Sequence, residues 1–89
     1  MGQEKMNTIE HRVKQIVASE LGIEIDRLHN ASNLLDIDNM DSLTLVETVM
    51  SLEEEFDTLM PDTDIENIYT LQDLIELCER KVSEKTAAY

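Results

Sequence analysis

Apolar residues recur along this 89-residue chain with the period of an α-helix, in three separate blocks. In the first block Met6, Ile9, Val13, Ile16 and Val17 fall on one face, which predicts a helix over residues 8–21. Asn7, with Glu10 three positions on, has the form of a capping pair, and Gly22 suits the stop. The last block, Leu71, Leu74, Ile75, Cys78 and Val82, has offsets of 0, 3, 4, 7 and 11. It predicts a helix that opens on a Thr70/Asp73 capping box and runs to Ser83. The middle block starts at Asp41 or Ser42 and runs to Asp57. Pro61 then breaks the chain, and residues 64–69 form one turn or a short helix. Residues 23–41 make a long polar-studded connection, anchored to the core by Leu28, Leu34, Leu35 and Ile37. Connections of that length in a small domain are often functional. The fold class is all-α: three main helices plus one short one around a single aliphatic core, with a long first loop. The domain spans residues 8–83, between an extension over residues 1–7 and a flexible tail over residues 84–89.

The middle helix carries more apolar surface than one core face needs. At ~100° per position, Leu45, Val49, Leu52 and Phe56 form a narrow stripe, the core face. Leu43, Val46 and Met50 form a second ridge, about a third of a turn away. Glu47 and Glu54 flank that ridge, and Glu53 and Ser42 lie between the two. Three glutamates beside an apolar ridge are poorly placed for a core. They suit a partner-binding surface, where Leu43, Val46 and Met50 are buried and Glu47, Glu53 and Glu54 steer a basic partner.

Charge sharpens this. The formal net charge is −13, and no Lys or Arg occurs from Leu28 through Glu79, where 14 of the 20 carboxylates fall. Nucleic acid and an anionic membrane surface are excluded as ligands, because nothing here neutralises phosphates. Complete exclusion of basic residues over so long a stretch favours a docking surface over one that is merely solvated. No apolar run approaches the ~20 residues that span a bilayer, and the first residues lack the apolar stretch of a signal peptide. A single cysteine, Cys78, permits no internal disulfide and fits a reducing compartment. A cytoplasmic, soluble monomer is expected.

Candidate chemistry converges on one residue. Ser42 sits at the mouth of the middle helix, where backbone N–H groups and the helix dipole favour an anion such as a phosphate-linked group. Asp41 before it suits a helix cap. The only histidines, His11 and His29, are a surface residue and a loop residue, so the serine has no activating base of its own and any chemistry on it is done by another enzyme. The protein is not expected to be an enzyme. Asp36, Asp38 and Asp41 do not make a calcium loop, since Met40 and Asp41 stand where an oxygen ligand and Gly are needed. Weak surface binding of divalent cations there, or at Glu53, Asp57 and Asp62, stays open. Cys78, on the apolar face of the last helix, reads as a small core residue.

These segments resemble the acyl carrier proteins of dissociated fatty-acid synthesis, over residues 8–83. The likeness is carried by Thr8 through Val17 with Leu21-Gly22, by Asp41-Ser42-Leu43 with Val46-Glu47 and Leu52 through Thr58, and by Pro61-Asp62 leading to Thr70-Leu71. The resemblance implies 4′-phosphopantetheine attached to Ser42, flanked by Asp41 and Leu43, by a phosphopantetheinyl transferase that takes it from coenzyme A. It implies acyl cargo held as thioesters, and partners such as ketoacyl synthases with basic docking patches. It further implies an acyl-chain space lined by Leu34, Leu45, Val49, Leu52, Met60, Ile65, Ile68, Leu74 and Leu77, residues that read equally well as core. The chain departs from the family where Asp38-Asn39-Met40 replaces the usual Leu-Gly-Ala, and where Thr44 replaces an acid. These departures point to a specialised carrier for a secondary lipid, polyketide or amino-acyl pathway, with Asn39 able to take a turn conformation almost as readily as Gly. The alternatives are a carrier of the peptidyl or D-alanyl type, and an unmodified acidic interaction or cation-binding protein.

Overall fold

The computed structural model describes the backbone of residues 2–87 and the side chains of residues 9–85. Four helices follow in order: α1 (Gly2–Leu21), α2 (Ser42–Phe56), α3 (Asp62–Ile65) and α4 (Leu71–Ala87). Two single 3-10 turns, Ile25–Arg27 and Leu34–Asp36, lie in the connection between α1 and α2. The described residues contain no strand, and the all-α class holds.

Each helix stops and starts for a local reason. Gly22 takes a left-handed φ of 68°. It donates to Ser19 O, and Ile23 N donates to Ala18 O, so two carbonyls at the end of α1 are satisfied. The expected capping box opens α4: Asp73 N donates to the Thr70 hydroxyl at 3.1 Å, while the Asp73 carboxylate accepts from the backbone N–H of Thr70 and Tyr69. Asp57 ends α2 in the left-handed region at φ 52°, and Thr58 N closes on Glu53 O at 3.1 Å.

Three elements differ in their bounds from what the pattern predicts. The short helix, expected over residues 64–69, is Asp62–Ile65 and starts directly after Pro61. α1 begins at Gly2, so Asn7 lies inside the helix and is not its cap. Glu10 has another role: its carboxylate accepts from Lys14 at 3.0 Å and from Asn30 at 3.2 Å. The side chain of Met6 lies outside the described residues. At the other end the helix continues through residues 84–87, where a tail was expected. Lys85 explains the extension. Its ammonium reaches back to Phe56 O at 3.4 Å and to the Asp57 carboxylate at 3.0 Å, at the negative end of α2.

The core is aliphatic, as expected, with Val13, Val17, Leu52, Leu71, Leu74, Ile75 and Cys78 wholly removed from water. Phe56 closes one end, with the Arg12 guanidinium 5.0 Å over its ring and paired with Glu55. The long connection is stitched to the start of α4 by backbone bonds from Leu34 N to Tyr69 O at 2.8 Å, Leu71 N to Ser32 O at 3.0 Å and Gln72 N to Asn30 O at 2.8 Å. Leu28, Leu34 and Ile37 anchor it as expected, and Met40 joins them. Leu35 does not: it stands 56% exposed, because the 3-10 turn at Leu34–Asp36 directs consecutive residues to different sides.

Candidate functional site

Ser42 is the first residue of α2 and is exposed. Asp41, with extended backbone, caps the helix by accepting from Thr44 N at 2.7 Å. That backbone bond, helped by the Thr44 hydroxyl and the Leu43 N–H, holds the Asp41 carboxyl below the usual aspartate range. The cap is therefore occupied by a carboxylate. The serine hydroxyl beside it makes no hydrogen bond within the chain among the described residues. It is presented to solvent at the positive end of a 15-residue helix.

The segment before the serine is fixed at three points. Met40 is buried, and its N–H donates to Ile37 O at 3.0 Å. Asn39 takes the left-handed conformation, φ 68°, and its amide donates to Leu21 O at 2.9 Å, capping a carbonyl at the end of α1. Asp38 pairs with Arg27 at 2.6 Å. The unusual Asp38-Asn39-Met40 thus forms a turn in which each residue has a separate anchor. A residue tolerant of positive φ stands where the backbone needs one.

Down α2 the two apolar faces separate as the pattern predicts. Val49, Leu52 and Phe56 are buried and Leu45 is half-buried. Leu43, Val46 and Met50 are 67%, 56% and 56% exposed. Glu47 and Glu54 beside the ridge form no ion pair among the described residues, where all six described cations are spent on other carboxylates: Glu10, Asp38, Glu55, Asp57, Asp64 and Glu84. Glu53 behaves differently. It is half-buried, and its carboxylate accepts the Met60 backbone N–H at 2.7 Å, tying the end of α2 to the following loop. Thr48 is a residue the pattern did not single out. It is fully buried, its hydroxyl satisfied by Thr44 O one turn back at 2.8 Å.

A cleft of about 220 Å³ opens between α2 and α3, with walls of Leu45, Val46, Val49, Met50, Met60 and Ile65 and a rim of Glu53 and Asp62. Leu45, Val46 and Val49 stand three, four and seven residues after Ser42, on the serine's own side of the helix. The helix rises ~1.5 Å per residue, so the cleft starts within about 5 Å, measured along the axis, of the level of Ser42. Of the nine residues expected around an acyl chain, Leu45, Val49, Met60 and Ile65 line this cleft. Leu34, Leu52, Leu74 and Leu77 are packed into the core, Leu77 also lining a groove beside α3. Ile68, half-buried, faces a second groove on the far side of α3. Val46, Met50, Glu53 and Asp62 were not expected there. The helical spacing from Ser42 marks Val46, whereas only the folding of the α2–α3 loop brings Asp62 near.

Other chemistry finds no constellation. His11 and His29 are exposed, and no hydrogen bond joins either to Ser42 among the described residues. The Cys78 thiol, deep in the core, is pushed up to about 12 by burial, which makes it inert as a nucleophile. Among the described residues no group of three or more His, Cys, Asp or Glu is placed to hold a metal ion. No described helix is long and apolar enough to cross a membrane.

Compared with known families, residues 11–78 match the model described as a phosphopantetheine attachment site. The match takes in the end of α1, the anchored turn, the whole of α2 and α3, and the first half of α4.

Proposed function

The chain belongs to the phosphopantetheine-attachment-site family, in which 4′-phosphopantetheine is attached covalently, and from that premise we propose that it is a non-catalytic acyl carrier modified at Ser42. The observation that carries the assignment to this residue is its setting. It is an exposed hydroxyl on the first turn of α2, unengaged among the described residues, with an apolar cleft beginning one turn below it on the same face. The site fits the group: the amides of the first helical turn favour a phosphodiester, and the Asp41 cap leaves the hydroxyl free. When bound, the group supplies a thiol that holds acyl cargo as a thioester. The chain itself contributes a rigid attachment point, a sheltering cleft and a docking ridge.

A phosphopantetheinyl transferase would load the group from coenzyme A. Enzymes of fatty-acid, polyketide or related lipid synthesis, ketoacyl synthases among them, would then take the cargo, meeting Leu43, Val46 and Met50 with apolar surface and Glu47 and Glu54 with basic residues. The base-free charge pattern supports such partners. We place this work in the cytoplasm, by a monomer, with the anchored Asp38-Asn39-Met40 turn as the mark of a specialised carrier.

The test is intact mass. Incubated with coenzyme A and a broad-specificity phosphopantetheinyl transferase, the protein is expected to gain one phosphopantetheine, and Ser42→Ala none. No gain in the wild type, or an equal gain in the variant, would sink the assignment.

A further inference from the structure

The short helix α3 is a single turn of four residues, Asp62–Ile65. A helix of that length has no stability of its own, so tertiary contacts decide where it sits. It stands between two grooves. On its α2 side is the cleft of about 220 Å³, walled by Ile65. On its α4 side is a second groove of about 200 Å³, to which Asp64, Ile68, Leu77 and Arg80 contribute. Ile65 and Ile68 are half-buried against the core. Apolar contacts of this kind are non-directional, and they leave a single turn free to shift from one groove toward the other.

Asp64 supplies a charged contact at one fixed position, an ion pair whose buried oxygen makes no hydrogen bond among the described residues. One of its oxygens lies 2.8 Å from Lys81 Nζ on α4 and the other 3.7 Å from the Arg80 guanidinium. The oxygen facing Lys81 has less than 1 Å² of its surface in water, and the Lys81 side chain is only 18% exposed. Among the described residues the pairs Lys85–Asp57, at 45% and 91%, and Arg27–Asp38, at 65% and 51%, are far more open, while Lys14–Glu10, at 22% and 39%, comes nearer to this pair. Water and salt screen such open pairs and leave them worth little. The Asp64–Lys81 pair is better shielded, and loss of either member leaves the other a half-buried charge with only a longer contact, Arg80 at 3.7 Å for Asp64 or Glu84 at 3.9 Å for Lys81.

We propose that Asp64 is a positioning residue whose ion pair with Lys81 latches α3 onto α4. The latch holds the α2–α3 cleft at its present size, and so sets the size of acyl group the cleft accepts. The latch itself depends on nothing but the fold; its consequence for cargo rests on the carrier reading above.

Hydrogen exchange on the full, unmodified chain tests the latch. The amides of Glu66, Asn67 and Ile68 bond to Asp62 O, Asp64 O and Ile65 O at 2.9, 3.3 and 3.1 Å and report on this turn. In Asp64→Asn their protection is expected to fall about tenfold or more, with α1 keeping wild-type protection. Lys81→Met is expected to do the same. The double variant Asp64→Asn/Lys81→Met should lose no more than either single one, because a neutral pair strands no charge. Unchanged protection at the three amides in Asp64→Asn, losses spread evenly over all helices, or additive losses in the double variant would each overturn the latch. For cargo, hexanoyl, decanoyl and tetradecanoyl phosphopantetheine are loaded from their coenzyme A esters and the melting temperature is followed. Stabilisation is expected to level off at a shorter chain in the wild type than in Asp64→Asn. Levelling at the same chain length in both removes the role in cargo size while the exchange result stands. Failure to gain mass at Ser42 overturns the carrier reading alone.

Discussion

The two sides of α2 are built from the same residue types to opposite ends. Val49, Leu52 and Phe56 are held out of water, while Leu43, Val46 and Met50, a third of a turn away, stand more than half exposed. Burial of a side chain such as Leu52 contributes about 1.5–3 kcal/mol. The exposed ridge contributes little to the fold, and it is a liability for solubility that the net charge of −13 offsets. One stripe stabilises the molecule; the other is available to something outside it. The acidic residues divide in the same way. Glu53 is bound to the Met60 backbone, whereas Glu47 and Glu54 engage no cation among the described residues.

The comparison breaks most visibly in the apolar residues. Leu52→Ala is expected to cost about 2–5 kcal/mol, read by urea denaturation. Val46→Ser should stay within about 0.5 kcal/mol of wild type, yet slow the transferase reaction. A Val46→Ser variant as unstable as Leu52→Ala would show the ridge to be part of the core.

The glutamates separate by a smaller margin. Glu53→Ala leaves the Met60 N–H without its acceptor and is expected to cost about 1–3 kcal/mol. Glu54→Ala should cost almost nothing. Conversely Glu47→Lys/Glu54→Lys should slow transferase loading by about tenfold or more at low salt, with the difference shrinking as salt rises. Equal rates at low salt would mean that these two carboxylates steer no partner. Glu53 is left out of that variant because its change would confound docking with folding.

The smallest effect concerns the cap beneath Ser42. The Asp41 carboxyl is lowered from its ordinary value of 3.8, chiefly by the Thr44 N–H. A depressed carboxyl contributes stability that is full above the unfolded value and is lost as pH falls through the folded one. In Asp41→Ala the stability difference from wild type should therefore be constant near neutrality and shrink only below about pH 4. Comparison with the variant isolates this contribution from the general relief of self-repulsion that acid brings to so negative a chain. A difference that grew on acidification would contradict the capped geometry.

What could be read along the chain was what depends on near neighbours. The helical faces, the Thr70/Asp73 box and the Gly22 stop all follow from contacts within four or five residues. So does the split of α2 into a buried and an exposed ridge, because 3.6-residue periodicity converts spacing into direction. Leu35 escapes the helical pattern because side chains inside a 3-10 turn follow a different period. The last turn of α4 is not marked by local pattern, because Lys85 finds its anchor at the end of α2, 28 residues away in sequence.

The sequence by itself determined the all-α class, the position of Ser42 at a helix mouth and the acidic ridge below it. Only the tertiary structure decided which of the apolar residues close the core and which wall a cleft, that Glu53 serves the fold while Glu54 does not, that Asn39 ties the serine loop to Leu21, and that Asp64 joins α3 to α4. Each of these joins residues distant along the chain. Such pairings are set by how helices pack, a global balance of burial and charge that no local window of residues contains.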